Sequence, residues 1–369
     1  MATNITSLTP VIAIHPGEML KDELVIRGIT QKEFAQLTGI PATQLNEVTR
    51  GKRGIYADTA LLIGKALNMD AELWTGMQMN YELDIAKQNE KNKIRLEAMD
   101  KWKMIEGYIP ISYFKKQQIL SGNPVADTPV VKEIYNVNNL DEFAEVFSQS
   151  NYARFRKSEK LSIDKINLVG WIKLVNYKAA KLKVAPFNVK KKEELINKLN
   201  AIFLKNKKTI DKCRDLLAEY GIKLIVQPHP EKCAVDGVSF WSNGNPAIGL
   251  TVRHKRIDNF AFTVLHELAH VFLHLINNNT AEFIDFDKEH SSQEYINSKE
   301  EKEANEFAAN TLIAKEAWKK FTRETPVFEE TAILSFSKNN KVHPAIVMGR
   351  FLFETGTFKV RSSIDKALS

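Results

Sequence analysis

Residues 263 to 274, TVLHELAHVFLH, set three histidines and a glutamate in a run whose other members are almost all apolar. His266 and His270 are four apart. On an α-helix they share one face, roughly 6 Å apart along the axis, so both imidazoles can meet one ion. Glu267 stands beside them. It can polarise a water held at that ion and carry its proton to a leaving amine, the logic of H-E-x-x-H hydrolysis. The wider stretch DNFAFTVLHELAHVFLHLINN is apolar on nearly every side, as a buried helix is. Buried histidines and a carboxylate are costly unless they are bonded or metallated. The competing reading is therefore a structural cluster in which these groups satisfy one another.

A catalytic zinc needs a third protein ligand and an open position. The donors lie downstream in SKEEKEANEFAANTLIA, where Ala304, Phe307, Ala308, Thr311 and Leu312 follow helical spacing and define a core-facing side. Glu301 lies near that side, one turn before Asn305, and is the first candidate. Glu303 is the second, and Glu300 and Glu306 read as solvated. His274 sits two turns beyond His266 with no glycine to bend the helix back, so a supporting or packing role suits it better than ligation.

These groups need a frame. IKLIVQP reads as a strand, and GVSFW and AIGLTV read as two strands around the turn SNGNP. The strand AIGLTV precedes the metal helix, so an extended peptide can add to a neighbouring sheet edge beside the site. Arg253, His254 and Arg256 lie between strand and helix, either as an oxyanion-stabilising group or as an ordinary basic flank.

A second chemistry lies near the start. In GITQKEFAQLTGIPATQLNEVTRGKR, Thr30 can cap a helix with Glu33 three residues on. Phe34, Ala35 and Leu37 give that helix an apolar face, Gly39 can end it, and Pro41 can sit in the first turn of a second helix that buries Leu45 and Val48. A helical hairpin alone would satisfy this spacing. The residues around it suggest DNA: Arg50, Lys52 and Arg53 can hold phosphates while Ala42, Thr43, Gln44 and Asn46 face base edges, and Gln31 is a further DNA-binding candidate.

The chain has 369 residues, 44% of them apolar, and a net charge of +7. That length implies two or three domains. Residues 1–87 hold eight Lys/Arg against ten Asp/Glu, so overall basicity does not locate a DNA-binding domain. Two cysteines, Cys213 and Cys233, are too few for a disulfide framework, which points to a reducing, cytoplasmic setting. The opening MATNITSLTPVIAIHPG lacks the features of a signal peptide, and no apolar run is long enough to span a membrane. The charged stretch AKQNEKNKIRLEAMDKWK reads as a helical connector, giving parts 1–87, 88–194 and 195–369.

Residues from IHPGEMLKDEL to LWTGMQMNYELDIA resemble the XRE-type helix-turn-helix of HigA antitoxins, through the HPGE entry, the TQKEFA helix and GKRGIYADTA. This resemblance implies an all-α, lambda-repressor-like domain that binds operator DNA as a homodimer and represses its own promoter beside a toxin gene. Ala42 and Thr43 depart from the family by standing where longer polar side chains are frequent. The stretch from GVSFW through HELAH to EEKEANEFAANTLIA and VHPAIVMGRFLFE resembles the ImmA/IrrE zinc metallopeptidases. That implies an α+β zincin-like domain, Zn2+ on His266, His270 and Glu301 or Glu303, and Glu267 as the catalytic carboxylate. LIAKEAW lacks the proline common after this helix. Together the expectation is a multidomain, mainly α protein with a small β-sheet, whose partners are operator DNA and a protein substrate or cognate toxin.

Overall fold

The computed structural model describes residues 12–148, 165–233, 235–286, 298–357 and 359–369. The chain divides into two compact units, Met1–Trp102 and Lys103–Ser369. Most of the opening segment read above for a signal peptide, and residues 149–164 of the middle part, lie outside the described residues.

The first unit is helical: α1 (Pro16–Ile26), α2 (Gln31–Thr38), α3 (Ala42–Thr49), α4 (Ala57–Leu67), α5 (Ala71–Gln88) and the greater part of α6 (Glu90–Ile105). α2 begins at a capping box, in which Thr30 Oγ1 accepts from the Glu33 amide at 3.2 Å and the Glu33 carboxylate accepts from the Thr30 amide at 2.9 Å. It stops where Gly39 turns left-handed at φ 71°, a conformation that costs glycine little. Phe34, Leu45 and Val48 are fully buried, packed with Leu20, Ile63 and Trp74. Leu37, expected on the apolar face of α2, is instead 65% exposed. Thr38 takes the buried place, because its hydroxyl donates to the Phe34 carbonyl at 2.7 Å and so enters the core satisfied. Pro41 caps α3 from just outside its first turn.

In the second unit, α7 (Ile111–Lys116), α8 (Pro124–Tyr135), α9 (Glu142–Ser148), α10 (Lys165–Lys181), α11 (Lys192–Lys205) and α12 (Thr209–Glu219) precede a mixed four-stranded sheet. The sheet order is β1-β3-β2-β4, from β1 (Lys223–Val226), β2 (Val235–Ser242), β3 (Asn245–Leu250) and β4 (Glu282–Phe286). β1 and β3 run parallel; β2 is antiparallel to both β3 and β4. The β2–β3 hairpin turns through Asn243 and Gly244, both with positive φ (48° and 82°), as a tight two-residue turn requires. β3 is an inner strand, and β1 and β4 stand at the two ends of this order among the described strands. β4, EFIDF, carries its alternation in Ile284 and Phe286, both buried, but is too short to stand out in the sequence.

The H-E-x-x-H segment forms α13 (Ile257–Ala269), continued by a π-helical turn, His270–Leu275. α13 packs on β2 and β3 and against α14 (Lys299–Leu312), followed by α15 (Lys315–Glu324), α16 (Glu330–Asn340) and α17 (Pro344–Thr355). α10 lies against β1, β2 and β3, so the compact unit includes a helix grouped by composition with the middle region. Ile257, Phe260, Ala261, Val264, Leu265 and Leu268 anchor α13 in the core. Fully burying each of the larger ones contributes about 1.5–3 kcal/mol, enough to fix a helix that also carries polar groups inward. Among the described residues no helix is long and apolar enough to cross a membrane. Cys213 and Cys233 form no disulfide, and both are buried.

Candidate metal centre and DNA-facing helices

α13 and α14 bring His266, His270 and Glu301 together, all buried, with one potential ligand atom from each lying within 4.8 Å of the others. The two Nε2 atoms are 3.1 Å apart. His266 Nε2 lies 3.4 Å from Glu301 Oε2, and His270 Nε2 lies 3.3 Å from Glu301 Oε1. A tetrahedral ion with bonds of about 2.0–2.1 Å sets neighbouring ligands about 3.3 Å apart, so the donor spacing fits zinc. Glu301 Oε1 nevertheless makes no hydrogen bond, although it stands 3.3 Å from His270 Nε2. Unsatisfied lone pairs in a dry site cost about 1–3 kcal/mol each unless something else meets them. The donor set and this orphaned oxygen both suit a cation.

Glu303, the alternative third ligand, is elsewhere: its Oε2 meets His274 Nε2 at 3.1 Å on the rim, where the carboxylate is 44% exposed. Glu300 and Glu306 are exposed, as expected, and Glu306 pairs with Lys315 at 2.8 Å. On α14, Ala304, Ala308 and Leu312 are buried while Phe307 and Thr311 are half-buried.

Glu267 is fully buried beside the cluster. Ser239 of β2 donates from Oγ to its carboxylate, and the same hydroxyl lies 3.1 Å from the Glu267 carbonyl. The other carboxylate oxygen, Oε1, has no partner. It lies over Gly237, where an added Cβ would stand 2.0 Å away. Neither Ser239 nor Gly237 was singled out from the sequence, because both act across the fold on a residue 28 or more positions on. Phe283 of β4 stacks on the His270 ring, centroids 4.5 Å apart at 15°.

The electrostatics follow from burial opposed by charge. Burial disfavours the imidazolium of His266, but Asp285, Glu301 and Glu267 outweigh it and hold its pKa at about 9. Burial and the charge on His266 push His270 down to about 4 against the pull of Glu301, keeping it neutral, as a metal ligand must be. For Glu301, burial is overcome by the two imidazoles of His266 and His270 beside it, so its carboxyl sits well below the usual range. Burial raises Glu267 well above the ordinary carboxylate value, with Asp285 and Glu301 adding to it and His266 and Ser239 opposing.

The basic flank of α13 is already paired. Arg256 donates to Asp258 through Nε at 2.9 Å and through Nη2, and Arg253 lies 3.4 Å from Asp236. His254 is exposed.

In the first unit, Ala42, Thr43, Gln31, Arg50, Lys52 and Arg53 are exposed on α2, α3 and the turn after it, while Gln44 and Asn46 are half-buried. The Gln44 amide donates toward Thr59 Oγ1 at 3.4 Å and the Gln31 amide to Thr49 Oγ1 at 3.1 Å. Arg53 pairs with Glu47 at 2.9 Å, both about half exposed.

Comparison with known proteins matches a family to each of the two units. Residues 20–74 match the helix-turn-helix family, and residues 218–337 match the IrrE N-terminal-like domain. The chain is 38% identical over 81 residues to virulence-associated protein I of Dichelobacter nodosus, covering 22% of this chain and 75% of that protein. It is 35% identical over 83 residues to virulence-associated protein A' of the same organism, covering 22% and 72%. Among solved structures it is similar to the Pseudomonas aeruginosa antitoxin HigA with the higBA promoter, at 33% identity over 23% of this chain and 95% of that one, TM-score 0.22. The first unit is thus an XRE-type helix-turn-helix domain, and the second carries a domain of the IrrE-like peptidase family. The chain belongs to the XRE-type helix-turn-helix family, here joined to an IrrE-like domain.

Proposed function

We propose that the chain is a DNA-binding transcriptional regulator, the antitoxin of a toxin–antitoxin pair that represses its own promoter as a homodimer in the cytoplasm. On this reading its second unit is a zinc peptidase domain. DNA binding belongs to residues 1–87, metal chemistry to residues 195–369, and the helices of 88–194 connect them. The observation that carries the metal assignment is the convergence of His266, His270 and Glu301 at ligand spacing with Glu267 buried alongside.

His266 and His270 would hold zinc through Nε2 and Glu301 through its carboxylate. When bound, the ion supplies Lewis acidity toward a carbonyl and lowers the pKa of water. Glu267, raised by burial and fixed by Ser239, is placed to accept a proton at Oε1 and return it to a leaving amine. β4 passes beside the site, through Phe283 on His270, and the match to the IrrE-like peptidase family supports a peptide as the substrate. The intact Glu267 also favours a second reading, an active regulatory endopeptidase that cuts a repressor or toxin and uses the helix-turn-helix for targeting.

Metal analysis tests the assignment. The purified chain should carry about one zinc per protomer, and His266→Ala or His270→Ala should empty it. Wild-type protein that is metal-free and refuses added Zn2+ would end the peptidase reading.

A further inference from the structure

His270 differs from His266 in what stands behind it. His266 Nδ1 is buried with no hydrogen-bond partner. His270 Nδ1 faces His274 Nδ1 at 3.1 Å, and His274 Nε2 faces Glu303 Oε2 at 3.1 Å. Two ring nitrogens can share one hydrogen only if one donates and the other accepts. An ionised carboxylate can only accept, so His274 carries its proton on Nε2. A neutral His274 then presents a lone pair at Nδ1, and His270 must place its own proton on Nδ1 to fill it. That leaves the Nε2 lone pair of His270 pointing at His266 and Glu301.

The π-helical turn His270–Leu275 carries both histidines, and Phe283 packs on both rings, 4.5 Å from His270 and 5.2 Å from His274. The arrangement therefore holds ring plane and tautomer together. We propose that His274, anchored by Glu303, is a positioning residue: the chain Glu303–His274–His270 fixes His270 in the Nδ1–H tautomer that ligates through Nε2. This rests on the zinc reading above, and it gives Glu303 the role of anchor rather than ligand. Histidine ligands are commonly oriented in this way by a group on the remote nitrogen, whose loss costs about 10–100-fold in metal affinity.

The test uses the full chain in two measurements. With 15N-histidine labelling of the metal-free protein, the ring-nitrogen shifts should report Nδ1–H for His270 and Nε2–H for His274; the opposite tautomer at His270 overturns the proposal. Zn2+ affinity by chelator competition should fall about 10- to 100-fold in His274→Leu. His274→Asn should recover most of that loss, because its carbonyl can still accept from His270. Glu303→Gln, on the exposed rim, should cost less than Glu301→Gln, which removes a ligand charge. Should His274→Leu fail to fold, the tautomer readout and the Asn and Gln variants decide. A folded His274→Leu protein that binds Zn2+ as tightly as wild type overturns the positioning role and leaves the zinc reading standing. Wild-type protein without Zn2+ affinity removes both.

Discussion

Gly237 lies beneath the carboxylate of Glu267, so close that a Cβ there would stand 2.0 Å from Oε1 and 2.8 Å from Cδ. Ser239, two residues on along β2, donates to the other carboxylate oxygen. One strand therefore both clears the space for Glu267 and holds it. Gly237→Ala should destabilise the second unit by about 1–3 kcal/mol, the usual cost of overpacking a tight site. Ser239→Ala frees the carboxylate to move aside, so Gly237→Ala should cost less in that background. A double-mutant cycle of denaturant midpoints reads the difference. Additive losses would show that Glu267 is not held between the two.

Much of this was legible in the sequence because it is local. H-E-x-x-H spacing, the Thr30–Glu33 capping box and the Asn243–Gly244 turn are each set by residues a few positions apart. Helical phase put Glu301 ahead of Glu303 as the third donor, and the resemblance to the ImmA/IrrE peptidases left the same two. Only the packing of α14 on α13 separates them, facing Glu301 inward and Glu303 to His274. β4 escaped notice because five residues of alternation look like a loop until Phe283 is seen against His270. The π turn leaves no signature in HVFLH. Leu37 and Thr38 exchanged places because a hydroxyl bonded to its own helix can be buried as readily as a methyl.

For DNA binding, Arg50→Ala or Lys52→Ala should weaken operator affinity across sequences and reduce the salt slope, as the loss of phosphate contacts does. Arg53→Ala should do so less, since Arg53 is engaged with Glu47. Gln44 has to leave Thr59 to read a base. If it does, Gln44→Ala should relax preference at one or two positions, at about 1–3 kcal/mol. Binding titrations at several salt concentrations check all four. Unchanged salt slopes in the Arg50 and Lys52 variants would remove these residues from the interface.

The first unit should also respond to acid. His15 is buried, accepts from the Gly17 amide through Nδ1 at 2.9 Å, and packs edge-on to Tyr81 at 4.7 Å. Burial lowers its pKa, with Glu18 opposing. A depressed folded value means that the stabilisation is complete above the unfolded pKa, about 6.5, and is lost as pH falls through the folded one. Thermal unfolding of wild type should show this loss below pH 6.5. His15→Asn keeps an acceptor at the helix cap without the titration, so its melting temperature should depend less on pH over that window. Equal pH dependence in the two proteins would place the acid sensitivity elsewhere.

Whether the metal centre is used as an enzyme turns on Glu267. Glu267→Gln keeps the size and most of the hydrogen bonding at Ser239 but removes the proton acceptor, so zinc content and fold should persist while turnover is abolished. Cells then separate the two readings. If the variant still represses its promoter and still protects against a neighbouring toxin, neutralisation needs binding alone and the domain acts as a docking module. If protection or derepression disappears at unchanged zinc content and DNA affinity, cleavage is required, and the second unit is a working peptidase. A Glu267→Gln protein that cuts its partner as fast as wild type would show that the proton moves through another group.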